Sequence, residues 1–185
     1  MLQAVSVPLV ALLLGAANPL LAQVDHAQSL APYVPSPQNI VDRMLDAAQL
    51  KQGETVYDLG CGDGRVLITA AQKYRAKAVG VELSPKLVRL ARDLIKLNGL
   101  QDSASVIEGN LLDVDLSKAD VVTLYLLTES NSKLRPNLEK YLKPGARVVS
   151  HDFEIRGWKP IVVEEVPAYK RMHHIYVYEI GRNRK

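Results

Sequence analysis

Short apolar runs alternate along the chain with stretches whose apolar residues recur at helical spacing. Runs of about four to eight apolar residues are typical of buried strands. The predicted strands span residues 56–59, 78–82, 105–108, 120–127, 147–150, 162–166 and 175–180. The alternation predicts an α/β domain with a Rossmann-like doubly wound sheet that is mostly parallel. The short gap at residues 167–174 favours an antiparallel last strand.

Residues with helix-starting chemistry lie between these strands. Ser36 can cap a helix whose first residue is Pro37, and that helix is expected to end near Gly53. Ser84-Pro85 gives the same signal for a later helix. A further helix is expected around residues 131–141.

Polar side chains collect where the predicted parallel strands end. Ligands in doubly wound sheets bind beyond these carboxyl ends, so the polar residues there are candidates for a binding site. They are Asp58, Glu82, Asn110, Thr128, His151 and Asp152. A purely structural domain has no need for acids after successive buried strands, so the clustering predicts a site.

A glycine-rich turn joins the first strand to a helix expected to begin near Arg65. Gly60, Gly62 and Gly64 allow a sharp turn and a close approach of the backbone to a ligand. The spacing is D-x-G-x-G-x-G, which differs from the dinucleotide pattern G-x-G-x-x-G, and the turn lacks the Gly-Lys-Ser/Thr of a P-loop. Asp58 would repel a pyrophosphate and favours a cationic or amino-bearing ligand.

This turn closely resembles motif I of the seven-strand S-adenosylmethionine (SAM) methyltransferases. From about Tyr33 onwards the chain is also similar to small prokaryotic relatives of the mitochondrial lysine methyltransferases that act on ATP synthase subunit c and adenine nucleotide translocase. The matching stretches are residues 33–37, 57–65, 121–127, 134–136 and 148–153. Cys61 and Thr128 stand where the relatives often have serine and proline. The resemblance implies SAM as the cofactor and methyl transfer to a nitrogen, in particular a protein lysine.

The remaining cofactor contacts are assigned to the ends of the second and third strands. Glu82, followed by Leu83, can accept hydrogen bonds from both ribose hydroxyls, although it could instead cap the helix beside Ser84. Asn110 can offer its amide oxygen to the adenine amino group, and the backbone N–H of Leu111 can reach a ring nitrogen. The alternative for Asn110 is an ordinary turn residue.

The acceptor side of the site is assigned to the fourth and fifth strands. His151 and Asp152 could supply a general base or a carboxylate near the reacting atom, or His151 could be a hydrogen-bonded structural residue. Tyr125 could line the acceptor pocket or simply pack. Tyr33 is either a lid over the ligand or an aromatic that pins the preceding linker to the core. The Asp-Pro-Pro-Tyr-type loop of many amino methyltransferases is absent after the fourth strand, so no catalytic base is assigned.

Composition limits the remaining classes of function. The 185 residues suit one domain, and a net charge of +3 is too mild to indicate nucleic acid. Cys61 is the single cysteine, which excludes an internal disulfide; we expect a small packed residue there rather than a reactive thiol. His173 and His174 lack partners at metal-ligand spacing, so no metal is predicted.

The N-terminal segment has a different character from the rest of the chain. Residues 1–24 contain no charged side chain, and residues 7–17 form an apolar core that resembles a signal peptide with cleavage after Ala22. A membrane anchor is the alternative, although Pro8 and Pro19 leave it short of a span. We therefore divide the chain into a signal-like or anchor segment (1–22), a linker (23–35) and a methyltransferase domain (36–185). Because SAM is made in the cytosol, the compartment stays open.

Three functions remain to be distinguished. The favoured one is a SAM-dependent N-methyltransferase whose partner is a lysine-bearing protein, including a membrane protein approached through the N-terminal segment. A SAM- or nucleoside-binding module without turnover is the first alternative. A small-molecule methyltransferase is the second, and it is weakened because no cap domain is evident beyond the helix near Pro37.

Overall fold

A seven-stranded sheet forms the centre of the computed structural model, which describes residues 33–182. The predicted segment 1–22 and residues 23–32 of the predicted linker lie outside the described residues. The strands are β1 Thr55–Leu59, β2 Lys77–Glu82, β3 Ala104–Glu108, β4 Val121–Leu124, β5 Arg147–His151, β6 Val162–Ala168 and β7 Arg171–Glu179. The helices are α1 Gln38–Ala47, α2 Arg65–Tyr74, α3 Pro85–Leu97 and α4 Thr128–Tyr141, with a short 3-10 helix at Leu111–Asp113. Within residues 33–182, no helix is long and apolar enough to cross a membrane.

The order of the strands places the candidate site. The sheet runs β3-β2-β1-β4-β5-β7-β6, and its first five strands are parallel. Strand β7 is antiparallel to both β5 and β6, so the predicted fold class is confirmed. The order reverses between β1 and β4, and loops that leave these two strands diverge to form a crevice. The glycine loop follows β1 and therefore lies at this crevice.

Both faces of the sheet are covered, which explains why its strands are apolar nearly throughout. Helices α1, α2 and α3 pack on one face, with Met44, Leu67 and Val88 among the buried side chains. Leu134 and Leu138 of α4 belong to the cluster on the opposite face. Successive residues of a strand point to opposite faces of the sheet. Because both faces are covered, neighbouring residues are both buried and can both be apolar. The predicted bounds of β1, β2, β3 and β5 are correct to within one residue.

The predicted start of the first helix is wrong by one residue. Helix α1 begins at Gln38, with Pro37 rather than Ser36 at the cap position. Among the described residues, none caps α1 with its side chain, because the Ser36 hydroxyl instead faces His151. The helix also ends at Ala47, well before Gly53, since Gln49 adopts the left-handed conformation with φ of 51°.

The fourth strand is shorter than predicted. Strand β4 ends at Leu124, and α4 begins at Thr128 rather than near residue 131. Leu126 lies outside the strand but is buried against the same apolar cluster as α4. Buried loop residues and buried strand residues are both apolar. The apolar run at residues 120–127 therefore does not show where the strand ends.

The last two strands are longer than predicted and are joined by a two-residue turn. Residues 171–174, which the sequence pattern places in the gap between the two strands, belong to β7. The turn residues Tyr169 and Lys170 have φ values of 45° and 64°. Two central residues with positive φ are typical of a type I′ hairpin, whose twist suits the flanking strands. Neither residue is glycine or asparagine, so the usual sequence signal for this turn is missing.

We expect Lys170→Gly to stabilise the protein by about 0.5–1 kcal/mol, because glycine adopts positive φ without the steric cost of a Cβ. Lys170→Ala removes the same charge but keeps the Cβ, and it should bring no gain. The measurement is urea unfolding of wild type and both variants. The slope of the unfolding free energy against urea concentration should be the same in all three. Equal gains in the two variants would contradict the backbone explanation.

Candidate cofactor and acceptor site

The loop after β1 has a backbone that only glycine adopts readily. Gly60, Gly62 and Gly64 have φ values of 83°, 55° and 80°. The N–H groups of Gly60 and Cys61 both donate to the carbonyl of Val81, at 2.8 and 3.1 Å. The loop is thus fastened to the neighbouring strand β2 before α2 begins at Arg65, as predicted from the glycine spacing.

The absence of side chains on two glycines allows close packing around this loop. A Cβ on Gly62 would lie 2.6 Å from Cε2 of Tyr33, so the Tyr33 ring lies directly against the loop. A Cβ on Gly80 would lie 2.5 Å from Sγ of Cys61. Cys61 is therefore packed against β2, and burial raises the pKa of its thiol far above the ordinary value. This geometry agrees with the expected packing role rather than with a reactive thiol.

The Glu82 carboxylate supports the loop from the end of β2. One oxygen accepts from the N–H of Gly62 and the other from the N–H of Ser84, each at 2.9 Å. The helix-capping alternative is therefore part of its role. Each carboxylate oxygen has two lone pairs, so both can accept a second hydrogen bond from a ribose hydroxyl. Leu83, which follows directly, is partly buried.

Asp58 lies inside β1, beneath the loop, and is buried. The hydroxyl of Thr123, opposite it on β4, donates to its Oδ1 at 2.7 Å. Burial raises the pKa of Asp58 to about 7, and the negative charges of Glu82 and Asp63 add to the rise against the Thr123 hydrogen bond. A carboxyl group with this pKa is stabilised in its ionised form by a neighbouring cation. The Asp58 carboxylate could therefore accept from the amino group of SAM, and this contact stays a prediction.

Asn110 has a structural role at the end of β3. Its Oδ1 accepts from the N–H of Leu112 at 3.0 Å and opens the short 3-10 helix that begins at Leu111. This is the turn alternative considered for it. One lone pair of the amide oxygen remains for a further donor, so the adenine contacts of Asn110 and Leu111 stay a prediction.

Asp63 and Arg65 also belong to the loop, although neither was singled out from the sequence. The Arg65 guanidinium donates to both Asp63 oxygens, with Nε–Oδ1 at 3.0 Å and Nη2–Oδ2 at 2.6 Å. Burial opposes ionisation of Asp63, but these hydrogen bonds and the Arg65 charge outweigh it and lower its pKa. The sequence signal for this ion pair was the presence of opposite charges on either side of Gly64. Arg65 Nη1 also donates to the carbonyl of Ser36 at 2.7 Å.

His151 ends β5 and is fully buried. Its Nδ1 lies 2.9 Å from the Ser36 hydroxyl oxygen, and its Nε2 lies 2.8 Å from Nδ1 of His173. The Tyr125 ring stacks on it with centroids 3.8 Å apart. Burial lowers the pKa of His151 to about 4, against the opposing charge of Asp152, so the imidazole is neutral at pH 7.

Asp152 joins this cluster from the next position, with a positive φ of 62°. Its Oδ1 accepts from the N–H of His174 at 3.0 Å. Its Oδ2 accepts from Arg171 Nη2 at 2.7 Å and lies 3.0 Å from Nδ1 of His173. Burial works against ionisation, but the His174 N–H and the neighbouring donors outweigh it and lower the pKa of Asp152. Arg171 also reaches the Tyr125 hydroxyl, at 3.4 Å.

The expectation that His173 has no partners is wrong. The antiparallel pairing of β5 with β7 brings its ring beside His151 and Asp152, which are distant in sequence. The three facing atoms could hold one metal ion, since all lie within 4.8 Å of one another. However, the Arg171 guanidinium donates to the same Asp152 oxygen, and a second cation there would meet its charge. We therefore assign the group as a hydrogen-bonded cluster.

Comparison with known proteins gives consistent matches. A family model described as the ANTKMT methyltransferase domain matches residues 58–162. A Saccharolobus islandicus (strain REY15A) protein named protein-lysine N-methyltransferase is 51% identical over 154 residues, which is 83% of this chain and 96% of that protein. The mouse adenine nucleotide translocase lysine N-methyltransferase is 35% identical over 71% of this chain and 57% of its own length.

A solved structure is similar over nearly its whole length. It is described as an RNA methyltransferase from Salinibacter ruber in complex with S-adenosyl-L-homocysteine. It is 42% identical, with a TM-score of 0.76, over 82% of this chain and 97% of that one.

We expect Asp58→Asn to change how stability depends on pH. Because the folded-state pKa of about 7 exceeds the ordinary value of 3.8, the stability that Asp58 contributes is complete below pH 3.8 and is lost as pH rises through 7. Because an amide does not titrate, the free energy of unfolding of the variant should rise relative to that of wild type between pH 5 and 7, by at most about 1.4 kcal/mol per pH unit. Urea unfolding without cofactor measures this gain. The exposed Asp102→Asn serves as control, and a constant difference across pH would contradict the raised pKa.

We expect Glu82→Ala to weaken SAM binding by about 1–3 kcal/mol, because hydrogen bonds to a charged group are lost. Glu108→Ala is a matched control, since Glu108 pairs with Glu82 in register and is exposed. Calorimetry with S-adenosyl-L-homocysteine and its 2′-deoxy analogue separates ribose binding from loop support. Wild type should lose affinity for the analogue, whereas the Ala variant should bind both equally. A variant that still discriminates between them contradicts the ribose contact.

Proposed function

Since this chain belongs to the family of the ANTKMT methyltransferase domain and is a SAM-dependent methyltransferase, we propose that it methylates lysine side chains of a protein. The Saccharolobus relative named protein-lysine N-methyltransferase supports this acceptor class. SAM, when bound, supplies an activated methyl group, so the residues of the chain mainly bind, orient and desolvate.

The position of Arg171 carries this proposal. Its guanidinium lies between Oδ2 of Asp152 and the hydroxyl of Tyr125, and its side chain is more than half exposed. An ionised carboxylate beside an aromatic ring thus accommodates a side-chain cation at the crevice. A lysine ammonium has the same charge and would take this place once the exposed Arg171 side chain turned aside.

The acceptor nitrogen must lose a proton before it reacts, because an ammonium has no lone pair. Burial between Tyr125 and Phe153, whose ring centroids are 6.1 Å apart, would lower the pKa of the lysine. Asp152 would orient the amine, while the fully buried His151 acts by holding the Tyr125 ring rather than by touching the acceptor. The proton that the ammonium loses passes to solvent. The nitrogen lone pair then forms the N–C bond as the C–S bond breaks, which leaves a methylammonium and S-adenosyl-L-homocysteine.

Exposed apolar side chains near the crevice favour an apolar acceptor segment. They are Tyr33, Val34, Leu127, Tyr169 and Met172. Such a rim suits a lysine presented by a membrane protein better than one on a polar loop. The signal-like or anchor segment 1–22 would bring the domain to a membrane, and this stays a prediction from the sequence. Intact mass of the protein purified from its host shows whether these residues are retained.

RNA is the second candidate acceptor, because the similar Salinibacter structure is described as an RNA methyltransferase. The charges at the site argue against it. Arg65 is paired with Asp63, so its guanidinium is not left to bind phosphate. The net charge of +3 is also small for a protein that binds nucleic acid.

Methyl-labelled SAM distinguishes these acceptors. The full chain is incubated with soluble and membrane fractions of a native-host lysate, and each fraction is then treated with protease or ribonuclease. We expect protease-sensitive label that hydrolysis recovers as methyl-lysine, and more of it in the membrane fraction. Glu82→Ala serves as the cofactor-binding control. Ribonuclease-sensitive label would contradict the proposal and identify RNA as the acceptor. Saturable SAM binding without any labelled product would instead favour a binding module without turnover.

A further inference from the structure

Ser36 connects the two halves of the site through different atoms. Its backbone carbonyl accepts from Arg65 Nη1 at 2.7 Å, and Arg65 is fixed by Asp63 within the glycine loop. Its side-chain hydroxyl lies 2.9 Å from Nδ1 of His151 on the acceptor side. Ser36 is buried, and Tyr33, three residues before it, packs against Gly62. One short segment therefore touches both the cofactor loop and the acceptor cluster.

The contacts in the cluster favour one arrangement of protons on the two histidines. Asp152 is ionised and only accepts. Nδ1 of His173 lies 3.0 Å from its Oδ2, closer than Nε2 of His151 at 3.4 Å, so we assign the hydrogen to Nδ1 of His173. This N–H also faces Nε2 of His151 at 2.8 Å, which must then be the lone-pair nitrogen. His151 therefore carries its hydrogen on Nδ1 and donates it to the Ser36 hydroxyl.

We propose that Ser36 is a positioning residue for methyl transfer, because it fixes the Nδ1–H tautomer and orientation of His151 beneath Tyr125. Without an acceptor at Oγ, the buried Nδ1–H would have no partner among the described residues, and the imidazole would turn or change tautomer. The Tyr125 ring stacks on this imidazole, so its hydroxyl would move relative to Asp152. Ser36 thus transmits the position of the cofactor loop to the acceptor side. The inference concerns methyl transfer to any acceptor and rests on the proposed function only for the identity of that acceptor.

Ser36→Ala and Ser36→Thr in the full chain test this role. Threonine keeps the hydroxyl and alanine removes it. Ser132→Ala is the control, because the Ser132 hydroxyl also makes a hydrogen bond, a partly buried one to the Thr128 carbonyl within α4. The rate is the total methyl incorporated from labelled SAM in native-host lysate at saturating SAM, whichever fraction receives the label. SAM affinity is measured separately by calorimetry.

We expect Ser36→Ala to lower the rate roughly fivefold, within the range for one lost neutral hydrogen bond, while SAM affinity changes less than twofold. Ser36→Thr should recover most of the rate, and Ser132→Ala should match wild type. A rate loss that the threonine variant does not recover, or an equal loss in SAM affinity, would overturn the positioning role.

Nitrogen-15 spectra of the histidines give a second readout that needs no acceptor. In wild type, His151 and His173 should both show the Nδ1–H pattern of couplings, and Ser36→Ala should change the pattern of His151. Unchanged histidine spectra in Ser36→Ala would refute the inference even if the rate falls. If wild type labels no acceptor at all, the proposed function fails, and the spectra still decide whether Ser36 sets the tautomer.

Discussion

The hydrogen bonds from the glycine loop to β2 are the interaction on which the site depends. Gly60 and Cys61 donate to the Val81 carbonyl, and Gly62 donates to the Glu82 carboxylate. They hold in place a backbone with three left-handed glycines, and glycine loses more entropy on ordering than other residues do. The same strand end also offers the carboxylate assigned to the ribose. One side chain therefore helps to hold the loop and is also the predicted ribose ligand.

A second constraint comes from chain segments that lie outside the parallel part of the sheet. The residues just before α1 pack on the glycine loop through Tyr33 and on the acceptor cluster through Ser36. The β6–β7 hairpin brings Arg171 and His173 to the same cluster. Elements from both ends of the described chain thus complete a crevice that the parallel strands only outline. Cofactor and acceptor sides share these residues, so neither side is independent of the other.

The sequence predicted the features that depend on local chemistry. The glycine spacing located the loop, and the polar strand ends located Asp58, Glu82, His151 and Asp152. It failed where a role depends on pairing between distant segments. His173 was assigned to a loop because β7 begins with four residues that lack an apolar pattern. Ser36 was assigned as a helix cap because Ser-Pro has that meaning locally, whereas its partner lies 115 positions away. Such contacts have no local signal.

The hairpin turn at Tyr169 and Lys170 has a consequence for how this family can diverge. Side chains along a strand alternate between faces, so an insertion or deletion of one residue at the turn would move His173 to the opposite side of the sheet. Met172 or His174 would then replace it beside His151. Substitutions at the tip are compatible with the cluster, but a change of length is not. A homologue with a longer or shorter turn must either add a compensating bulge or organise its acceptor side with different residues.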